Sequence, residues 1–170
     1  RAGVKKFIYL STAHVYASPL IGTITEATCP RNLHPYATSH FAGENAALHA
    51  GNSGSVESVV LRLSNSVGAP MHRDVGCWSL LANDLCRQAV ERKQLTLYND
   101  GGQQRDFIAV SEVEQIIASF LSYGEKHLPT NVFNVGAGAS CTLFSMAMTV
   151  QERCQIVHGF KPEIVVNSVD

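Results

Sequence analysis

Two short runs, Phe7-Ile8-Tyr9-Leu10 and Val59-Val60-Leu61-Arg62-Leu63, are apolar at consecutive rather than alternating positions. Side chains of a strand point alternately to its two faces, so such runs need cover on both sides. That is the condition of a buried parallel strand. Parallel neighbours cannot be joined by a tight turn and need a crossover. Between the runs, Tyr36 to about Ala50 reads as a helix, with Ala37, Phe41, Ala42, Ala46, Leu48 and His49 along it. Gly51-Asn52-Ser53-Gly54 is expected to stop that helix. Strand, helix and strand make a βαβ unit, for which a right-handed crossover is expected.

The rest of the chain continues the α/β pattern. A helix is expected from Cys77 to about Arg92, with Trp78, Leu81, Leu85 and Val90 as core. Leu95–Tyr98 reads as a strand, Asn99-Asp100-Gly101-Gly102 as a turn, and Asp106–Val110 as another strand. Ser111 with Glu114 three residues later has the form of a capping box for a helix from Glu112 to Tyr123. Val132–Val135 reads as a strand ending in Gly136-Ala137-Gly138, followed by a helix from Leu143 to Val157 and a short strand at Ile164–Val166.

Bulk properties exclude several classes. The 170 residues suffice for a real core, and 45% apolar with 16% charged residues is ordinary for a globular α/β protein. A net charge of −1 suggests neither a nucleic-acid nor a membrane partner. No apolar run is long enough to cross a bilayer. The five cysteines are odd in number, widely spaced and form no Cys-x-x-Cys pair, so reduced thiols in a cytoplasmic protein are expected. No metal site is expected: His34 and His40 are not at i, i+4 spacing, and no carboxylate–histidine pair supports a set with His14.

Four places carry candidate chemistry. In Pro35-Tyr36-Ala37-Thr38-Ser39-His40, the four-residue spacing puts Tyr36 and His40 on one helix face. A phenol beside a cation serves as a proton donor or acceptor for a carbinol, although a surface pair on an amphipathic helix has the same spacing. Leu10-Ser11-Thr12 puts hydroxyls where a buried strand runs out, the end at which open α/β sheets bind ligands, or where a Ser-Thr turn ends a strand. Asn65, after the second strand, can bind a ligand or cap a turn. Arg105 has the fork that matches phosphate oxygens, or can pair with Asp106.

Taken in order, Leu10-Ser11-Thr12, Tyr36-x-x-x-His40, Leu61-Arg62-x-x-Asn65-x-x-Gly68, Gly102-x-x-Arg105-Asp106-Phe107-Ile108 and Phe133-Asn134-Val135-Gly136 resemble the extended short-chain dehydrogenase/reductase family. Its NAD-dependent epimerase/dehydratase group acts on nucleotide-diphosphate sugars. The resemblance covers about residues 3–150. It implies a Rossmann-like fold, seen here as the second half of the parallel sheet with flanking helices, plus part of a small substrate-binding subdomain. On that reading 1–170 is a single partial domain. Residues 1–68 and 125–150 are its nucleotide-binding part, and 69–124 and 151–170 mainly its substrate-binding part.

The resemblance also implies roles. Tyr36 is the general acid/base for a sugar hydroxyl, and Thr12 binds the same oxygen. Position 40 binds the nicotinamide ribose of NAD or NADP beside Tyr36. Asn65 and Arg105 hold the nucleotide diphosphate of the sugar substrate. A 4-epimerase or 4-keto reductase is expected, because Ala13 and His14 stand where the 4,6-dehydratases carry Asp and Glu.

Two departures stand out. The family's Lys is His40, and a histidine is largely neutral at pH 7. If the Lys lowers the tyrosine pKa by about one to two units, losing it costs roughly 1.4–2.7 kcal/mol on the tyrosinate. The family's Gly-x-x-Gly-x-x-Gly loop, which presents backbone N–H groups to pyrophosphate, is absent, and Gly136-Ala137-Gly138 reads as a turn. The expectation is therefore a truncated chain, with a non-catalytic scaffold as the alternative. A Phe7–Leu10 strand without its neighbour leaves an apolar edge, so a homo-oligomer is expected.

Overall fold

The computed structural model describes residues 3–122 and 130–167. The elements are β1 (Lys6–Thr12), a 3-10 turn (Ala13–Val15), α1 (Pro35–Asn52), β2 (Glu57–Leu63), β3 (Asn65–Val67), α2 (Leu81–Arg92), β4 (Gln94–Leu97), β5 (Gln104–Ala109), α3 (Val110–Ser122), β6 (Val132–Val135), β7 (Ser140–Thr142), α4 (Leu143–His158) and β8 (Glu163–Val166). They divide into two compact units. The first holds the residues up to Ser66 and Ile108–Ala137, the second Val67–Phe107 and the residues from Gly138. Among the described residues no helix is long and apolar enough to cross a membrane.

The first unit is built on the sheet β1-β2-β6, parallel throughout. β1 runs beside β2 from Lys6↔Glu57 to Thr12↔Leu63, and β2 beside β6 from Val60↔Val132 to Leu63↔Val135. The expected α/β fold with parallel strands and flanking helices is what forms. The consecutive apolar residues of β2 are explained by its central place. Val59 and Leu61 join Ile108, Val113 and Val135 in a core completed by Ile116, Ile117, Phe120 and Phe133. The alternate residues Ser58 and Arg62 meet α1, at Gly51 and Glu44 respectively. Each apolar side chain so covered contributes about 1.5–3 kcal/mol, so this sheet-and-helix packing supplies most of the unit's stability.

α1 departs from its expected pattern. It runs through Gly51 and Asn52, and the backbone turns only at Ser53 and Gly54, the latter at φ 69°. Gly51 lies inside the helix because a side chain there would overlap Ser58 Oγ. The buried residues are Ala37, Glu44 and Ala47, whereas Phe41, Ala42, Ala46 and His49 are exposed. Small residues line the inner face because β1 lies close beneath it. A Cβ on Gly43 would overlap Tyr9 Oη and lie 2.5 Å from Tyr9 Cζ. Replacing Gly43 by alanine gains about 1 kcal/mol of helix propensity. It also forces the Tyr9 ring aside, an overpacking cost of about 1–3 kcal/mol. Net destabilisation is expected in a thermal melt, and a Tyr9→Leu background should relieve it.

The entry to α3 also differs. The helix begins at Val110, so Ser111 lies within its first turn. Glu112, not Glu114, reaches back, accepting from the Ala109 N–H at 3.1 Å. Tyr123 lies outside the described residues.

In the second unit α2 packs on α4, and β4 runs parallel to β8 from Gln94↔Glu163 to Leu97↔Val166. Leu85, Ala89, Leu95, Leu97, Leu143, Ala147, Val150 and Cys154 form its core. α2 starts at Leu81, not Cys77, and Val90 is exposed rather than core. Trp78 precedes the helix, half-buried, and its Nε1–H donates to the Arg73 carbonyl at 2.6 Å. β5 pairs antiparallel with β7, setting Arg105 opposite Cys141.

Candidate active site

The carboxyl end of β1 and the first turns of α1 bring the reactive side chains of the first unit into place. Thr12 closes β1, is buried, and its Oγ1 accepts the His14 N–H at 3.2 Å. The hydroxyl therefore caps the 3-10 turn, which leaves its O–H as a donor. Pro35 opens α1, and His34 caps it by accepting the Tyr36 N–H on Nδ1 at 3.2 Å. The cap fixes the backbone from which Tyr36 projects. Tyr36 is 51% exposed.

One turn on, His40 meets Tyr36 edge to face, with ring centroids 4.6 Å apart and planes at 64°. The Tyr9 ring flanks His40 at 6.2 Å. His40 is half-buried, and its Nδ1 is covered without a hydrogen-bond partner among the described residues. A covered polar atom left so costs about 1–3 kcal/mol unless something outside the chain meets it.

The other two candidates sit elsewhere. Asn65 opens β3, half-buried and engaged by contacts of its own. Arg105 is half-buried on β5 in the second unit, where its Nη2 donates to Gln103 Oε1 at 3.1 Å. Its neighbour Asp106 accepts the Gly138 N–H at 2.9 Å. The structure thus brings Tyr36 and His40 into contact within one unit and places Arg105 in the other.

Behind the Tyr36 helix lies a buried polar chain that the sequence reading did not single out. Glu44, fully buried, accepts from Ser11 Oγ at 2.5 Å and Arg62 Nε at 2.9 Å on Oε1, and from Arg62 Nη2 at 2.6 Å on Oε2. Arg62 Nη1 donates to Tyr16 Oη at 2.7 Å, and Tyr16 Oη donates to Asn134 Oδ1 at 2.8 Å. The Asn134 N–H donates to Glu26 Oε1 at 2.7 Å, which holds that carboxyl below the usual range. Burial works against the Arg62 charge, yet the Glu44 carboxylate and Tyr16 hydroxyl outweigh it and hold the guanidinium above its ordinary value. One signal was legible: an arginine inside a strand buried on both faces must find a partner.

Comparison with known proteins bears on this arrangement. The family model described as NAD dependent epimerase/dehydratase family matches residues 1–136. An uncharacterized UDP-glucose epimerase of Bacillus subtilis (strain 168) is 26% identical over 149 residues, 88% of this chain and 45% of that protein. The dTDP-6-deoxy-L-talose 4-dehydrogenase (NAD(P)(+)) of Kitasatospora kifunensis is 31% identical over 144 residues, 83% of this chain and 44% of that protein. A solved Thermus thermophilus UDP-glucose 4-epimerase in complex with NAD superposes with a TM-score of 0.76 at 26% identity, over 96% of this chain and 51% of that one. The chain spans about half the length of the curated relatives it matches.

Proposed function

Because the chain belongs to the NAD-dependent epimerase/dehydratase family, we propose that it carries the catalytic segment of an NAD(P)-dependent nucleotide-diphosphate-sugar 4-epimerase or 4-keto reductase. The observation that carries this is the Tyr36–His40 pair, a half-exposed phenol against an imidazole at the end of a parallel sheet. In this reading Tyr36 Oη takes the proton of a sugar hydroxyl, or returns it to a ketone, while the Thr12 O–H donates to the same oxygen. Asn65 in the first unit and Arg105 in the second are each suited to a phosphate oxygen of the nucleotide, Arg105 through its guanidinium fork.

The residues present fit a nicotinamide cofactor at one point on this structure: His40 Nδ1 has no hydrogen-bond partner among the described residues, and a turn of the covered ring would offer it to a ribose hydroxyl. His40 and Tyr36 would hold the cofactor. When bound, it supplies the hydride acceptor or donor for the sugar carbon. His40 orients, and an imidazole offers Tyr36 less positive charge than a lysine ammonium would.

Titration of the protein as expressed from its gene with NADH by fluorescence, followed by UDP-glucose, tests the reading. Saturable binding of both is expected, weakened for NADH by His40→Ala. A second reading, a non-catalytic scaffold, is favoured by the histidine itself, and binding of neither ligand would establish it in place of the first.

We also propose self-association and a cytoplasmic setting, the latter supported by five free cysteines. β1 is an outer strand of its sheet among the described residues, and Val4, Phe7 and Leu10 are exposed, Phe7 at 44%. An apolar sheet edge pairs readily with a second copy. Sedimentation at micromolar concentration is expected to show species larger than a single copy of the protein. A monodisperse monomer would overturn this.

A further inference from the structure

We propose that the buried Ser11–Glu44–Arg62–Tyr16–Asn134 chain is a positioning device: it sets the register of α1, which carries Tyr36 and His40, over the carboxyl ends of β1 and β2. The proposal rests on the reading of Tyr36 and Thr12 as the hydroxyls that meet substrate.

The geometry carries it in three steps. Glu44 follows Tyr36 and His40 at the same four-residue interval, so the three form one stripe along α1 that runs from the exposed Tyr36 through the half-buried His40 to the buried Glu44. Its carboxylate is held at both oxygens by one guanidinium, and on Oε1 also by the residue next to Thr12. A two-point arginine–carboxylate contact admits one arrangement of helix over strand. Sliding α1 by a turn would break all three bonds and leave two charges buried. The rest of the interface fixes position only at two close approaches, Gly43 over Tyr9 and Gly51 over Ser58, and the ion pair adds the directional contact that holds both in place.

The chain then continues sideways. Arg62 passes the constraint to Tyr16, just after the 3-10 turn that Thr12 caps, and the guanidinium also lies 4.7 Å from the Tyr16 ring centroid. Tyr16 passes it to Asn134 on β6. β1, α1, β2, the segment after the 3-10 turn and β6 are thereby tied at the end of the sheet where the candidate hydroxyls stand. A buried ion pair is a poor source of stability compared with apolar residues of the same volume, and register is its best-attested use.

The Glu44→Met/Arg62→Leu double variant keeps volume while removing direction, and tests the proposal in the protein as expressed from its gene. Two readouts are taken. The first is the NMR contact between the Tyr9 ring and the Gly43 α-protons, which reports register without any ligand. One strong contact is expected in the parent protein. Several weakened Gly43 signals are expected in a variant that still melts cooperatively. The second is the rate with UDP-glucose and NAD, with a fall in kcat of at least tenfold and KM within about threefold expected.

Arg62→Lys, which keeps the charge but not the fork, should give the same Gly43 pattern, and it decides the matter if the double variant does not fold. A single parental Gly43–Tyr9 contact in the folded variants overturns the proposal. If neither parent nor variant turns over substrate, the NMR contact still decides register, and the failure then belongs to the catalytic reading alone.

Discussion

Replacing Glu44 by alanine is expected to cost the first unit about 3–5 kcal/mol, because it leaves the Arg62 guanidinium buried with no countercharge. Arg62 is 5% exposed and Glu44 not at all, so water cannot take over the lost contacts. A domain of this kind is stable by only about 5–15 kcal/mol. One substitution should therefore consume a large share of that margin. Urea unfolding followed by circular dichroism measures it directly. The comparison with Ser11→Ala is informative. That change removes one neutral donor from a carboxylate that keeps its arginine, and about 1 kcal/mol is expected. Equal effects from the two would show that the charge is not what matters at this site.

Restoring lysine at position 40 is the second large expected effect. A lysine ammonium stays charged across the neutral range and reaches further along the helix than an imidazole. If that charge favours the Tyr36 phenolate by about 1.4–2.7 kcal/mol, His40→Lys should raise the rate of proton transfer roughly 10- to 100-fold near neutral pH. The measurement is the turnover of UDP-glucose with NAD by the protein as expressed from its gene, over a pH series. Tyr36→Phe in the same background should remove the gain, because it removes the hydroxyl on which lysine acts. No gain from His40→Lys in an otherwise active protein would show that Tyr36 does not depend on a neighbouring charge.

How far the sequence could be read depended on how local the determining contacts are. The strands at Phe7–Leu10 and Val59–Leu63 were legible because continuous apolarity signals cover on two faces, and β2 has that cover. The helix between them was legible from its period, but its inner face was not. Phe41, the largest apolar residue placed along it, is exposed, while the charged Glu44 is fully buried. Apolarity alone could not foresee that Tyr9 needs a glycine opposite it at position 43. The start of α3 was misread for a different reason: β5 passes into the helix without a break, so there was no room for Ser111 to act as the cap.

The candidate site divides along the same line. By itself the sequence determined the Tyr36–His40 contact, since four residues on a helix suffice to bring two rings together. It also determined the place of Thr12, since a run of apolar residues ends there. Only the tertiary structure decided what stands behind that pair. The partners of Glu44 and Arg62 lie 33, 18 and 46 residues apart in the chain, and Tyr16 meets Asn134 across 118. No periodicity spans such distances. Those contacts exist because burial in the sheet leaves a charged group only the partners that the fold delivers, and it must take them or lose its solvation unrepaid.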